Sequence, residues 1–314
     1  MDKDHGSEAA KRVPAVLASV VLAALLLSIG AAAAPAQKKT AAPKAPPAAD
    51  LTLDEILART AEYCRKLESS AFDFVCLEEI KETIDPALEV ETKTMRPTTV
   101  VDGMYTGPTI TFTTVRPKKV KRSFVYDYQC IRASRTLRES RTQLEENGKK
   151  MVRENAELQT SVIVYGTALL APVGLFGERF QPNYVFSVVA VDRTGKNTVL
   201  VVDAKPKPGT PQSRNLYGQA RIDAVTGDIL KIDWSDDRVG HFDVFQKRGE
   251  LYKRKPRLTI RSEFSAEKNG IRFPSRLYVE EAYLKDSGKP FIRSKTDIIY
   301  KDFKFFTVEF EVRN

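Results

Sequence analysis

Few side chains in this sequence of 314 residues are placed to do covalent or acid–base chemistry. It has two histidines, and His5 falls within an export-type leader, which leaves His241, beside Gly240 and Phe242, as the imidazole of the exported chain. An imidazole can act as a general base, but no recognisable motif supplies His241 with a nucleophile. There is no HExxH, CxxC, glycine-rich phosphate loop or GxSxG, so no metal, cofactor, nucleotide or serine-hydrolase chemistry is expected. Adjacent acids occur at Glu145-Glu146, Asp236-Asp237 and Glu280-Glu281. Glycoside hydrolysis needs two carboxylates facing one bond, whereas neighbours on a strand point to opposite faces, so these pairs read as exposed acids. Cys64, Cys76 and Cys130 would meet an oxidising compartment after export; one disulfide with a spare thiol and three buried small hydrophobes fit equally well.

What the sequence offers instead is apolar surface on strands. Phe72, Phe74, Cys76 and Ile80 alternate with Asp73, Val75, Leu77 and Glu79, and Phe124, Tyr126, Tyr128 and Cys130 alternate with Val125, Asp127, Gln129 and Ile131. Each set reads as a strand with one apolar face. A third comes from the hairpin LYGQARIDAVTGDILKIDW, residues 216 to 234. A three-residue loop, Val225-Thr226-Gly227 with the glycine left-handed, predicts Ala224 opposite Asp228, Ile222 opposite Leu230, Ala220 opposite Ile232 and Gly218 opposite Trp234. The polar face then has Arg221 opposite Lys231, Asp223 opposite Ile229 and Gln219 opposite Asp233. Phe72, Phe74, Phe124, Tyr126, Tyr128, Ile222, Leu230, Ile232 and Trp234 are therefore the candidates to line an apolar cavity.

These strands need a cover. Thr52-Leu-Asp-Glu55 is a capping box that starts a helix reaching about Ser69, with Leu53, Ile56, Leu57, Cys64 and Leu67 on one stripe. That stripe is expected to lie on the hairpin's apolar face. Residues 150 to 170 read as helical, and VIVYGTALLAPVGLF, Val162 to Phe176, carries no charge. With Pro172 and Gly174 at its end it suits a lid over a cavity or a second core helix. A strand from about Thr136 should end in the Asn147-Gly148 turn, and Asn269-Gly270 predicts a tight hairpin with Glu267 opposite Arg272. Further strands are expected at YVFSVVAVD and VLVVDA, from Leu258, from Arg276 to Leu284, from Phe291 to Tyr300 and from Phe303 to Val312. Roughly ten strands and two helices without a βαβ alternation give an α+β fold with a large antiparallel sheet.

The organisation around that domain, residues 50 to 314, is simple. Residues 1 to 36 read as a signal peptide: Lys11-Arg12, an apolar run from Val13, and Ala34-Pro35-Ala36, which predicts a mature start at Gln37. The alternative is an uncleaved anchor, since Val13 to Ala34 could span a bilayer. Residues 37 to 49, rich in Ala, Pro and Lys, read as a linker. Lysine and arginine exceed acids by nine, and the first 36 residues carry three charges of each sign, so the excess belongs to the remainder. Lys118, Lys119, Lys121 and Arg122 could meet an anionic membrane surface. No finger, RNP-like or helix-turn-helix pattern points to nucleic acid.

The order of elements, with ARIDAVTGDILKIDW, NGIRFPSRLYVEEAY and the closing IIYKDFKFF, resembles the LolA/LolB-like family of periplasmic lipoprotein carriers over about Leu51 to Val312. The resemblance implies a half barrel: one long curved antiparallel sheet, an amino-terminal helix, and helices across the concave face. It also implies a non-catalytic periplasmic carrier of a lipid or lipoprotein acyl chain. An envelope interaction protein whose helices fill the concave face is the alternative, and an enzyme centred on His241 ranks below both.

Overall fold

The computed structural model describes residues 51–89, 91–95, 100–101, 104–105, 111–115, 117–133, 136–160, 170–195, 197–209, 217–236 and 242–306. The leader, the linker, His241, most of the uncharged 162–176 run and the chain after 306 lie outside them.

Eleven strands form one sheet: β1 (Phe74–Ile84), β2 (Val120–Ala133), β3 (Thr136–Glu146), β4 (Lys149–Arg153), β5 (Tyr184–Asp192), β6 (Val199–Pro206), β7 (Gly218–Asp223), β8 (Ile229–Trp234), β9 (Lys255–Glu263), β10 (Arg276–Leu284) and β11 (Pro290–Phe305). Their spatial order is β4-β3-β2-β1-β11-β10-β9-β8-β7-β6-β5, every neighbour antiparallel, with β4 and β5 as open edges. The sheet is not closed into a barrel. The fold is thus the expected α+β type, built on one large antiparallel sheet.

Helix α1 (Leu53–Ser70) starts at the expected capping box, with Thr52 and Glu55 bonded reciprocally. It buries Ile56, Leu57, Thr60, Tyr63, Cys64 and Leu67, the expected stripe widened by Thr60 and Tyr63. The helix lies against the tip of the β7–β8 hairpin, where Arg59 donates to the carbonyls of Ala224 and Val225. It also meets the small hairpin Ala266–Lys268/Ile271–Phe273 through Tyr63, whose hydroxyl donates to the Arg272 carbonyl at 2.9 Å. Helix α2 (Ala171–Phe176) is one short turn-and-a-half that packs Phe176 on Phe186 of β5, and Pro172 stands at its start, where a missing N–H costs nothing. A third helix, α3 (Phe242–Tyr252), was not expected from the sequence. It seats Phe245 in the core and Gly249 within contact of Pro256. All three helices cover the same face of the sheet, and their buried residues join its inward side chains in one core.

Several expectations need correction. Residues 150 to 170 are not helical where described: Lys149–Arg153 is edge strand β4, paired with β3 through the Asn147-Gly148 turn, and 154 to 160 are irregular. The turn's positive φ angles at Asn147 and Gly148 decide the matter, because they fold the chain straight back onto β3. The expected break between Tyr300 and Phe303 is absent, since β11 runs through to Phe305 with Asp302 at positive φ.

In the central hairpin Gly218, Gln219, Ala220 and Arg221 pair as expected with Trp234, Asp233, Ile232 and Lys231. Near the turn the register differs: Ile222 meets Ile229, not Leu230, across a bulge. The loop holds four residues, Ala224 to Gly227, closed by Asp223 N–H donating to the Asp228 carbonyl. Asp223 explains this, because its carboxylate accepts from the N–H groups of Val225 and Thr226 and from the Asn197 amide, which favours the longer loop. Gly227 has the expected left-handed φ of 77°. The Asn269-Gly270 hairpin forms with Glu267 opposite Arg272, their charged groups 3.4 Å apart.

Candidate functional site

On β1 and β2, and on β11 from Ser294 to Tyr300, the inward positions are even-numbered, and the candidates on β1 and β2 fall there. Phe74 is 1% exposed and sits in a cluster of rings, with centroids 5.2 Å from Phe273 and Phe303 and 5.6 Å from Phe305. Phe124 and Tyr126 stack at 6.2 Å, and Tyr128 meets Tyr300 edge-on at 5.6 Å. Ile222 and Ile232 are fully buried, and the Trp234 indole donates to Ser262 Oγ at 2.8 Å. Phe72 and Leu230 are half-buried, Leu230 because the bulge takes it out of line with Ile222.

Eight of the nine candidates thus divide into two groups, and Phe72 lies just before β1. Phe74, Phe124, Tyr126 and Tyr128 sit on adjoining strands β1 and β2, whereas Ile222, Leu230, Ile232 and Trp234 sit on β7 and β8. Five inter-strand steps separate β1 from β7, roughly 24 Å at about 4.8 Å per step.

The β1–β2 group borders a buried ionic network that sequence reasoning missed. Arg141 of β3 donates two bonds to Glu78 of β1, at 2.6 and 3.0 Å, and one to Glu139 at 2.7 Å. Tyr128 donates to Glu139 at 2.9 Å, and Tyr300 of β11 donates to Glu78 at 3.0 Å. Glu78 has no exposed side-chain surface and Glu139 and Arg141 almost none. Burial raises the Glu139 carboxyl above its ordinary range despite Arg141, and burial likewise raises the phenols of Tyr128 and Tyr300. Burial disfavours the Arg141 charge, but the bond and charge of Glu78, reinforced by Glu139, outweigh it and hold the proton on. A buried charge is tolerable only when paired in this way, so the network ties β1, β2, β3 and β11 together.

Two further carboxylates enter the same face. Glu82 accepts from Arg122 and from Thr296, while Glu281 accepts from Arg248, Arg293, Ser294 and Tyr283. Arg293 in turn donates to Glu89, which also accepts from Tyr252 of α3. Glu280 and Glu281 do point to opposite faces, as expected, but Glu281 is buried and not an exposed acid. The signal for Glu78 and Glu82 was present: they continue the even-numbered series of Phe74, Cys76 and Ile80, so the strand pattern itself aims them inward. Arg141 and Glu281 carry no comparable local sign.

Cys64, Cys76 and Cys130 are all buried free thiols, and the Cys64 Sγ donates to the Pro172 carbonyl. Burial pushes all three up, Cys130 to about 11, so none is a reactive thiolate. Among the described residues no three His, Cys, Asp or Glu side chains converge as metal ligands, and no helix is long and apolar enough to cross a membrane.

Open space lies on the outer side of α1. A groove of about 550 Å³ separates the helix from residues 173 to 181. Its apolar lining includes Leu57, Ala58, Ala61 and Val173, and Glu62, Arg65, Glu68 and Arg179 stand among its charged residues. Arg179 and Glu68 bridge the two walls at 3.0 Å, both well exposed.

No protein-family model matches the chain. No curated protein matches it. Among solved structures the chain is similar to a DUF1329 family protein from Desulfovibrio piger, at 11% identity over 79% of this chain and 92% of that one, with a TM-score of 0.34. A domain named for outer-membrane lipoprotein sorting, from Vibrio parahaemolyticus, is similar at 11% identity over 81% and 95%, with a TM-score of 0.32. A LolA superfamily protein from Nitrosomonas europaea is similar at 10% identity over 82% of this chain and 96% of that one, with a TM-score of 0.34, a distant likeness to the family that the sequence resembles.

Proposed function

We propose that the chain is a non-catalytic binding protein of the cell envelope, exported by cleavage before Gln37, whose ligand is a lipid or a lipoprotein acyl chain. The observation that carries this is the groove beside α1. Its volume lies within the few hundred Å³ usual for small-ligand sites, and its lining pairs an apolar strip of Leu57, Ala58, Ala61 and Val173 with six charged residues that can hold a polar headgroup. Burying an alkyl chain yields roughly 25 cal/mol per Å², so affinity can be built without a dedicated charged anchor. The Arg179–Glu68 link across the groove is exposed and therefore cheap to open. In this reading Phe74, Phe124, Ile222 and Ile232 form a floor that a ligand reaches only when α1 and α2 lift from the sheet.

The complete burial of Phe124, Tyr126, Ile222 and Ile232 favours a second reading, an envelope interaction protein with a filled core. Native mass spectrometry of freshly purified protein and titration with a fatty acid separate the two. The binding reading expects co-purified lipid and saturable uptake, both abolished by A61W, which fills the groove. Trp234 emission then locates the ligand: it stays constant for a chain held in the groove and changes for one that has entered beneath α1. Absence of both lipid and uptake hands the protein to the interaction reading.

A further inference from the structure

A second recess, of about 350 Å³, opens where β1 leaves the sheet, at the end remote from α1's groove. Register builds it. Lys121 of β2 stands opposite Thr83 of β1, and Thr83 stands opposite Lys295 of β11, so one row across three strands presents two lysines flanking a hydroxyl on the face turned away from the core. Lys119, two residues before Lys121, adds a third ammonium on that face. The β10–β11 pairing skips Arg293, passing from Glu281 opposite Ser294 to Ala282 opposite Ile292, and this bulge shapes the wall beside them.

The charges are not equivalent. Arg293 is spent on Glu89 and Glu281, and Lys295 lies 3.4 Å from Glu280. Among the described residues, Lys119 and Lys121 have no carboxylate partner, and neither has Lys81, which shares the outward face two residues from Thr83. The acid lining the recess, Asp85, is occupied in part by the Ala87 N–H. Arg122, which the sequence grouped with these lysines, points the other way onto buried Glu82 and takes no part. The recess thus combines unneutralised ammonium groups, a free-facing hydroxyl and a concave wall.

We propose that this recess binds a phosphoryl-type oxyanion, either as free phosphate or as the phosphate of an anionic lipid headgroup. Lys119 and Lys121 supply the charge, Thr83 donates a hydrogen bond, and Lys295 exchanges part of its bond to Glu280 for the anion. The proposal is independent of the apolar groove and stands or falls separately from it.

The full chain is titrated with inorganic phosphate by calorimetry and, in a second arm, sedimented with phosphatidylglycerol or phosphatidylcholine vesicles. Saturable phosphate binding that K119A/K121A weakens by about tenfold or more per lysine, and that T83V also weakens, establishes the site with free phosphate as a sufficient ligand. Binding to phosphatidylglycerol alone, with the same loss in both variants, establishes it with the headgroup as the source. K149A/K150A removes equal charge from edge strand β4, two strands away from β2, and leaves binding unchanged. The proposal is overturned by absence of binding in both arms, by binding that survives in K119A/K121A, or by equal loss in K149A/K150A, which marks diffuse surface attraction. Unchanged melting of each variant confirms that the loss is not one of fold.

Discussion

Gly227 lies so close to Arg59 that a Cβ placed on it would stand 2.5 Å from the Cβ of the arginine and 2.6 Å from its backbone carbonyl carbon. The glycine is therefore required twice, once for its left-handed φ and once for the approach of α1 to the hairpin. G227A should destabilise the domain by about 2 kcal/mol or more. Gly270 offers the control: its φ is 72° but nothing lies within 4 Å of its would-be Cβ. G270A should cost about 1 kcal/mol, the backbone strain alone. Equal losses in denaturant unfolding would mean that α1 is not held against the hairpin as described.

The Glu78–Arg141 pair predicts a non-additive outcome. R141M leaves Glu78 buried without its cation, and should cost about 3–5 kcal/mol. E78Q/R141M removes the orphaned charge while keeping an acceptor for the Tyr300 hydroxyl, and should recover at least about 1 kcal/mol of that loss. A double variant less stable than R141M would show that Glu78 is held by something other than Arg141.

Glu139 gives the network a pH dependence. Its carboxyl is raised by burial, so the folded state holds that proton more tightly than the unfolded chain does. Such a group contributes most below the ordinary glutamate value, about 4.3, and its contribution is lost as pH rises through the folded value. Arg141, Glu78, Tyr128, Cys130 and Tyr300 are among the groups that face it. Asp233 and Glu280, each lowered by hydrogen bonds from basic side chains or a phenol that outweigh burial, act in the opposite sense. The difference between wild type and E139Q cancels those other groups. The stability of wild type relative to E139Q should fall as pH is raised from about 4 toward neutrality. A rise over that interval would mean that the Arg141 charge outweighs burial at Glu139.

Much of the architecture is legible from local patterns. The capping box at Thr52, the strands with Phe74 and Phe124 on one face, and the Asn-Gly turns each rest on neighbours in sequence, and each formed as read. What escaped depends on distant partners. Gln143, Arg141 and Glu139 look like an exposed polar strand because their burial is decided by Glu78, Tyr126 and Tyr128 on other strands. Helix α3 was hidden because its sequence, FDVFQKRGELY, presents only a thin apolar stripe, and its place is set by Arg248 reaching Glu281 and Gly249 reaching Pro256. For the candidate site, alternation identified which side chains point inward. It could not say how many strands lie between β1 and β7.

The β7–β8 turn shows how one side chain overrides a pattern. Alternation alone favours the three-residue loop that pairs Ile222 with Leu230, and the observed loop is longer by Ala224. The Asp223 carboxylate accounts for the difference: one oxygen accepts from Val225 N–H at 2.9 Å and Thr226 N–H at 3.1 Å, and the other from the Asn197 amide at 2.6 Å. D223A removes these three acceptor bonds and should cost about 1–2 kcal/mol. It should also release the register near the turn, so that the bulge opposite Ile222 dissolves and Leu230 moves inward to replace Ile229. Cross-strand nuclear Overhauser contacts report this directly, with Ile222 approaching Leu230 in D223A and Ile229 in the wild type. D223N, which keeps an acceptor oxygen for the turn, should retain the wild-type contacts. If D223A keeps them as well, the register is set by the packing of Ile229 beneath α1, and the carboxylate only stabilises a loop chosen by the core.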